Sequence, residues 1–186
     1  MFLRCGLVVV LLAWMMSARA EVSVQFEQQG YPVAVRTDET LRQALDRSSP
    51  IRQRGQVFYG QTLWQVHWQF WWQPTPQRCA IERTAIQVEV QMQLPEWTSG
   101  RADQRAEFDA FVAALERHER GHQQLAEAAG RAIDDALLAM PPADNCAQLE
   151  VQAKTLAQRV LDDYREREFD YDFRTNHGET QGAWLK

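Results

Sequence analysis

The stretch "LERHERGHQQL" carries two histidines, His118 and His122, four residues apart, with Glu119 directly after the first. Residues at this spacing lie on one face of a helix, so both imidazoles can reach a single metal ion. Zinc accepts histidine nitrogens and, in catalytic sites, keeps one position open for water. Glu119 would then act as the general base toward that water and as the acid toward a leaving amine. The alternative is a pair of core histidines whose nitrogens are satisfied by backbone carbonyls.

A catalytic zinc site needs a third protein ligand. His177 is the first candidate, because it lies in the polar segment "DYDFRTNHGE" that must return to the domain after the last predicted helix. A carboxylate from that helix is the alternative, since zinc accepts either type: Asp162, Asp163 or Glu166. His67 is less suited, because its glutamine neighbours indicate the solvent face of a strand. We therefore predict one zinc ion per chain with a three-histidine ligand set: His118, His122 and His177.

The elements that position these residues begin with strands. The stretches "VSVQF" and "YPVAV", on either side of Gln28–Gly30, predict a first hairpin. A short helix capped by Thr37 or Asp38 follows, with an apolar face made of Leu41, Ala44 and Leu45. The segments "LWQVHWQFWW" and "AIQVEVQMQLP" then alternate with period two. They predict two half-buried antiparallel strands, the second ended by Pro95.

The helical part begins near residue 101. Apolar residues recur there every three or four positions, which predicts a long helix that carries both histidines and stops at Pro141–Pro142. A second long helix is predicted from Cys146 to about Glu168, and the tail after it shows no clear period. Strands followed by helices predict an α+β domain, a small antiparallel sheet followed by two long helices.

The first 20 residues have the layout of a secretory signal peptide: Arg4, an apolar run from Gly6 to Met16, and the small-x-small pattern Ala18–Ala20. The alternative is an uncleaved membrane anchor, but the run is shorter than the roughly 20 residues of a membrane-spanning helix. Cleavage after Ala20 is therefore expected, with no stable membrane insertion afterwards. Residues 21–186 would form one domain of a periplasmic or secreted protein.

Charge and cysteine content narrow the choice of partner and compartment. The net charge of −5 argues against nucleic acid as a partner. In an oxidising compartment Cys79 and Cys146 are expected to form a disulfide, and two free buried thiols are the alternative.

With these motifs in view, the sequence resembles a bacterial secreted family of unassigned function, described as predicted secreted zinc-dependent proteases of the zincin type. The likeness covers most of the mature chain: "YGQTLWQVHWQF", Cys79 ahead of the strand that ends in "LPEW", "RHERGH", and the tail "YDFRTNHG". The resemblance implies that His118 and His122 are metal ligands and that Glu119 is catalytic. It also implies a functional tail motif: Tyr171, Asp172, Thr175 and His177.

The tail motif has a physical interpretation. Tyr171 would donate its hydroxyl to the oxyanion of a tetrahedral intermediate, although a core tyrosine would look the same in sequence. Asp172 would orient a liganding imidazole, or serve as a plain helix or turn cap. Thr175 and Gly178 would shape the turn that presents His177.

These residues together predict a zincin-like, zinc-dependent peptidase that acts on a peptide or protein substrate. If a strand edge flanks the cleft, the substrate would bind as an added strand. One alternative is a zinc-binding envelope module without catalysis, with an aromatic platform on one hairpin formed by Trp64, Trp68, Trp71 and Trp72. Most of these are expected in the core and only Trp71 on the opposite face. A second alternative is an amidase acting on the cell wall, because the same zinc chemistry serves it. Nothing in the sequence indicates the oligomeric state.

Overall fold

The computed structural model describes residues 21–76 and 78–185, and the predicted signal peptide lies outside them. The main elements follow in the order β1 (Glu21–Ala34), α1 (Leu41–Ser48), β2 (Arg52–Gln53), β3 (Gln56–Val57), β4 (Gln61–Pro74), β5 (Cys79–Ser99), α2 (Ala102–Leu138) and α3 (Cys146–Thr175). A short 3-10 turn, Glu179–Gln181, follows α3. The predicted α+β class, a small sheet followed by two long helices, is confirmed. None of the helices in the described ranges is long and apolar enough to cross a membrane.

The main sheet has the strand order β1-β5-β4 and is mixed rather than antiparallel. β4 and β5 pair in antiparallel fashion, as their alternation predicts, with Trp64 opposite Val90. β1 instead pairs with β5 in parallel along its whole length. The predicted first hairpin is therefore wrong, because Gln28–Gly30 continues the strand. Gly30 has no Cβ, and the Glu96 side chain occupies the space that a Cβ would take.

The end of β5 also differs from the prediction. The strand continues past Pro95 to Ser99. β4 begins only at Gln61, opposite Gln93, so no described strand pairs with that side of β5 at the proline. Proline is tolerated at such a position because an edge does not need every backbone N–H for the sheet ladder.

Helix α1 begins with a reciprocal cap. The Thr40 hydroxyl accepts a hydrogen bond from the backbone N–H of Gln43, and the Gln43 side chain accepts one from the N–H of Thr40. This capping box satisfies two N–H groups at the helix start. The predicted cap at Thr37 or Asp38 is therefore wrong, whereas the predicted apolar face is buried: Leu41, Ala44 and Leu45.

The two long helices pack on the sheet face formed by the inward residues of β5. These strand residues are at most 3% exposed: Ile86, Val88, Val90, Met92 and Leu94. α2 covers them with an apolar stripe: Phe108, Phe111, Leu115, Ala126, Ala129, Ile133 and Leu137. His118 and His122 lie between the two halves of this stripe, and burial of the stripe therefore buries them as well.

Helix α3 runs to Thr175, about two turns beyond the predicted end near Glu168. The extension is hidden in the sequence because Phe169 and Phe173 face solvent, 76% and 84% exposed, so the apolar period breaks off. The helix ends at Asn176, whose backbone is left-handed with a φ of 47°. As a result, Tyr171 and Asp172 belong to a helix rather than to a loop.

The predicted disulfide between Cys79 and Cys146 is present. It joins the start of β5 to the start of α3. Cys79 also exchanges both backbone hydrogen bonds with Ala143, in the loop before α3. The helix is thereby attached to the sheet at the end opposite Asp172.

The tryptophans of β4 lie mainly in the core. Trp64 is 6% exposed, and Trp68 and Trp72 are half-buried against the hydrophobic core. Trp71, predicted on the opposite face, is half-buried beneath the Arg83 guanidinium, which lies 3.5 Å from the ring centroid. These four residues do not form an open aromatic platform.

Candidate metal centre and cleft

His118 and His122 lie one turn apart on α2 and are 3% and 5% exposed. Their Nε2 atoms are 3.3 Å apart. Asp172, near the end of α3, places its Oδ1 atom 3.2 Å from His118 Nε2 and 3.0 Å from His122 Nε2. Within residues 21–76 and 78–185, this is the one group of three potential metal-binding side chains whose ligand atoms all lie within 4.8 Å of one another.

The triangle formed by these three atoms has a size that suits a tetrahedral metal ion. Zinc binds histidine nitrogen and carboxylate oxygen at roughly 2.0–2.2 Å, which separates neighbouring ligand atoms by about 3.3–3.5 Å. The observed sides of 3.0, 3.2 and 3.3 Å come close to this spacing. His118, His122 and Asp172 therefore fit a small divalent ion such as zinc.

The outer nitrogen of each imidazole faces an acceptor. His118 Nδ1 lies 3.0 Å from the Gln181 side-chain oxygen. His122 Nδ1 lies 3.4 Å from a carboxylate oxygen of Glu168, without a hydrogen bond to any described residue. Glu168 is held in turn by the indole N–H of Trp64, at 2.8 Å. Metal-ligating histidines show this arrangement, in which one nitrogen faces the metal and the other an acceptor that orients the ring.

The electrostatics of the centre favour a positive charge. Burial opposes protonation of His122, but the carboxylates of Asp172, Glu168 and Glu119 outweigh it and raise the pKa of His122 to about 9. Burial also disfavours the charged form of Asp172, yet its close contacts with His118 and His122 hold the pKa of this carboxyl well below its usual range. A cation is thus stabilised where the three ligand atoms meet.

Glu119 lies beside this centre and is 3% exposed. One carboxylate oxygen accepts a hydrogen bond from the Thr62 hydroxyl at 2.8 Å. Burial raises the pKa of Glu119, although His122 and Thr62 oppose the rise. A Cβ at Gly60 would come within 2.6 Å of the other oxygen, so this glycine makes room for the carboxylate. A carboxylate with these properties is suited to act as a general base.

His177, the predicted third ligand, borders the same cleft and has a side chain that is 52% exposed. Its backbone is left-handed, with a φ of 51°. Its Nδ1 lies 3.5 Å from Asp172 Oδ2, and its ring packs edge-on against Phe58. Asp172 therefore contacts all three histidines. The three-residue cluster contains Asp172 in the place where we expected His177, and a ligand role for His177 stays a prediction.

The other sequence candidates lie away from the centre. Asp162, Asp163 and Glu166 are exposed on α3, upstream of Asp172, and are not part of the cluster. The carboxylate that meets the histidines is one to which we had assigned an orienting or capping role. His67 lies on the solvent face of β4, as predicted, 3.9 Å from Glu89.

Tyr171, the predicted oxyanion donor, lies behind His118. Its ring stacks on the imidazole at an interplanar angle of 11°, and its hydroxyl donates to the backbone carbonyl of His118 at 3.1 Å. The Gln181 amide donates to the same hydroxyl, also at 3.1 Å. Tyr171 is not among the residues that line the cleft, and a direct catalytic role for it stays a prediction.

A cleft of about 500 Å³ opens over the centre, between β3, the start of β4, α2 and the end of α3. Apart from Tyr171, the candidate catalytic and metal-binding residues line it: His118, Glu119, His122, Asp172 and His177. β4 is an edge strand of the sheet within the described residues, and Gln61, Thr62 and Leu63 at its start also line the cleft. An extended chain could therefore approach the centre along a strand edge.

The sequence analysis missed Glu168 and Gln181, and it assigned Asp172 an orienting or capping role rather than a place in the three-residue cluster. The signal for Glu168 and Asp172 was present, because they are four residues apart and share a helix face once α3 is extended. Gln181 left no such signal. Its approach to His118 depends on the fold of the turn after α3.

No curated protein and no solved structure matches the chain. The model of a family described as bacterial protein of unknown function (DUF922) matches residues 28–178, which run from β1 to the turn after α3. The matched range includes the cluster and Glu119, whereas Gln181 lies beyond its end. The match covers most of the chain, which therefore belongs to this bacterial family of unknown function.

Proposed function

We propose that the protein is a zinc-dependent peptidase that acts outside the cytoplasm. The observation that carries this proposal is the convergence of His118 Nε2, His122 Nε2 and Asp172 Oδ1 within 3.0–3.3 Å of one another, beside a buried carboxylate. A purely structural metal site has no use for a base, whereas a hydrolytic site does. Glu119 lines the same cleft as the three ligands.

The geometry supports a role for each of these residues. His118, His122 and Asp172 would hold the metal, and Gln181 and Glu168 would orient the two imidazoles. Zinc, when bound, supplies Lewis acidity that lowers the pKa of water and polarises a carbonyl. Glu119 takes the proton of the attacking water and passes it to the departing nitrogen, and its buried position and raised pKa suit both directions of transfer.

The cleft supports an extended peptide as the substrate. Its wall includes the start of β4, which has β5 as its one neighbouring strand among the described residues and so forms an edge of the sheet. Peptides bind to such edges through main-chain hydrogen bonds, while side-chain pockets add specificity. This arrangement meets the condition that we set from the sequence for binding as an added strand.

The location outside the cytoplasm rests on two features. The Cys79–Cys146 disulfide is typical of proteins from oxidising compartments. The first 20 residues have the layout of a signal peptide in sequence. We therefore place the peptidase in the periplasm or among secreted proteins.

The test compares Glu119→Gln with the wild-type protein after zinc loading. We expect both to contain one zinc per chain, and the variant to lose about 10²–10⁴-fold in the rate of cleavage of a mixed peptide library, because the general base is gone. Metal content is measured by mass spectrometry and cleavage by the appearance of new peptide termini.

The matched control is Glu116→Gln, one turn earlier on α2, whose carboxylate is paired with Arg120 outside the cleft. It should retain both zinc and activity. Unchanged turnover in Glu119→Gln would contradict the mechanism. A zinc-loaded wild type that cleaves no peptide bond but releases amide-linked cell-wall fragments would point to the amidase instead.

A further inference from the structure

We infer that Gln181 is a positioning residue that sets the tautomer of His118. It holds the proton on Nδ1, so that Nε2 presents its lone pair to the cluster. The effect on metal binding rests on the proposed function, whereas the tautomer itself does not. Gln181 reaches His118 from the short turn after α3, and it is not among the residues that line the cleft.

The directions of three hydrogen bonds among His118, Tyr171 and Gln181 follow from the His118 backbone carbonyl, which can only accept. The backbone carbonyl of His118 accepts from the Tyr171 hydroxyl at 3.1 Å. The hydroxyl has thereby used its proton, so it accepts from the Gln181 amide nitrogen, also at 3.1 Å. The Gln181 oxygen then faces His118 Nδ1 at 3.0 Å, and since this oxygen only accepts, Nδ1 must carry the hydrogen.

The reversed arrangement satisfies fewer groups. The Tyr171 hydroxyl also lies 3.4 Å from the Gln181 oxygen, but the His118 carbonyl is the nearer acceptor at 3.1 Å. If the amide were turned round so that its nitrogen donated to Nδ1, its oxygen would lie 3.1 Å from the Tyr171 hydroxyl and would need that proton, so the hydroxyl would lose its bond to the His118 carbonyl. Two hydrogen bonds would then replace three in a largely buried network, where an unmade bond is costly. Thr175 does not donate a hydrogen bond to His118 Nδ1, because its hydroxyl already donates to the Tyr171 carbonyl at 2.8 Å. The hydroxyl oxygen lies 3.5 Å from Nδ1.

The tautomer has a consequence for the cluster. With the proton on Nδ1, His118 Nε2 is an acceptor, and it lies 3.2 Å from Asp172 Oδ1, which is also an acceptor. Two lone pairs at this distance repel each other unless a positive group lies between them. In the metal-free protein the Nε2–H of His122 supplies it, 3.3 Å from His118 Nε2 and 3.0 Å from Asp172 Oδ1, and a metal ion would take the place of this proton. The network therefore prepares His118 as a ligand before metal arrives.

The segment after α3 is built to hold Gln181 in place. Gly178 and Gly182 flank the 3-10 turn with φ values of 88° and 98°, which other residues rarely adopt. Beyond the turn, Ala183 and Leu185 are 8% and 4% exposed. Arg117 donates to the Gln181 backbone carbonyl at 3.3 Å. The C-terminal segment is thus a structural part of the centre.

The first experiment measures zinc affinity by competition with a chromophoric chelator. We expect Gln181→Leu, which has no acceptor, to bind zinc about 10–100-fold more weakly than wild type, the usual effect of losing such an outer partner. Gln181→Glu keeps an acceptor and should recover most of the affinity. The matched control is Gln124→Leu, an exposed glutamine on α2 that should bind zinc like the wild type.

The second readout is the nitrogen-15 NMR signature of the His118 ring in the metal-free protein. We expect the Nδ1–H tautomer in the wild type and in Gln181→Glu, and a mixture of tautomers in Gln181→Leu. Wild-type zinc affinity in Gln181→Leu, or the Nε2–H tautomer in the wild type, would overturn the inference. If Gln181→Leu does not fold, the tautomer of His118 in the wild-type protein tests the inference by itself: Nδ1–H supports it and Nε2–H overturns it. A wild type that binds no zinc yet shows Nδ1–H would refute the metal site alone.

Discussion

Asp172 is the side chain on which the centre depends most at the scale of single residues. It lies within 3.5 Å of His118, His122 and His177, and it is the acidic member of the cluster. In the sequence it lies in the tail motif after the predicted end of the last helix, with an expected role in orienting an imidazole or capping a helix or turn. Its distance from the two histidines of α2 gives it a different role.

We predict that Asp172→Asn weakens zinc binding strongly, because a charged ligand is replaced by a neutral one. The loss should exceed about 100-fold, the upper end of what is usual when a residue that only orients a ligand is removed. His177→Ala tests the competing ligand in parallel. A smaller loss in His177→Ala supports Asp172 as the third ligand, and a comparable loss in both makes His177 a ligand as well. Calorimetric titration gives both affinities.

The control for this comparison is Asp170→Asn, an exposed aspartate on the same helix. It should change zinc affinity little. Undiminished binding in Asp172→Asn would show that the cluster is not the metal site.

The contact between α2 and α3 decides the geometry of the centre at the scale of elements. Gly121 lies between the two histidines on α2, and the Tyr171 ring of α3 packs where its Cβ would be. The absence of a side chain therefore lets the helices approach closely enough for Asp172 to reach both imidazoles. The packing of the two helices that glycine permits outweighs the cost of about 1 kcal/mol that glycine brings to a helix interior.

We predict that Gly121→Ala lowers the free energy of unfolding by up to about 2 kcal/mol, because overpacking against the ring costs about 1–3 kcal/mol and the gain in helix propensity returns about 1 kcal/mol. Chemical denaturation measures the change. In the Tyr171→Ala background the same substitution should stabilise, since the ring is gone. Equal effects in both backgrounds would show that the two residues do not interact.

At the scale of the whole molecule, metal binding and folding are expected to be linked. The three candidate ligands come from two helices that meet only in the folded state, with His122 and Asp172 50 residues apart in the chain. A ligand that binds only the folded protein stabilises it by mass action. The disulfide acts in the same direction by limiting the freedom of the unfolded chain.

We predict that zinc at 100 times its dissociation constant stabilises the protein by about 2.7 kcal/mol, and raises the midpoint of thermal unfolding by roughly 5–11 °C for a domain of this size. Differential scanning calorimetry with zinc, and then with excess chelator, measures the shift and its reversal. The His118→Leu/His122→Leu variant should show no shift. An equal shift in that variant would place the bound zinc elsewhere.

The sequence by itself determined the features that depend on local spacing. Period-two alternation predicted β4 and β5, and the helical period predicted α2 with His118, Glu119 and His122 in register. Outside the predicted signal peptide the sequence has two cysteines, which left one disulfide to form. The strands and the helix could be predicted because periodicity depends on neighbours within a few residues. The disulfide could be predicted because two cysteines allow only one pairing.

Only the tertiary structure decided the parallel pairing of β1, the extension of α3 beyond Glu168, and the meeting of Asp172 and Gln181 with His118. None of these follows from local periodicity. The end of α3 exposes Phe169 and Phe173, so its inner face is recognised only once α2 lies against it. Side chains about 50–60 residues apart in the chain come together because the helices pack on one sheet, and that packing depends on the whole core.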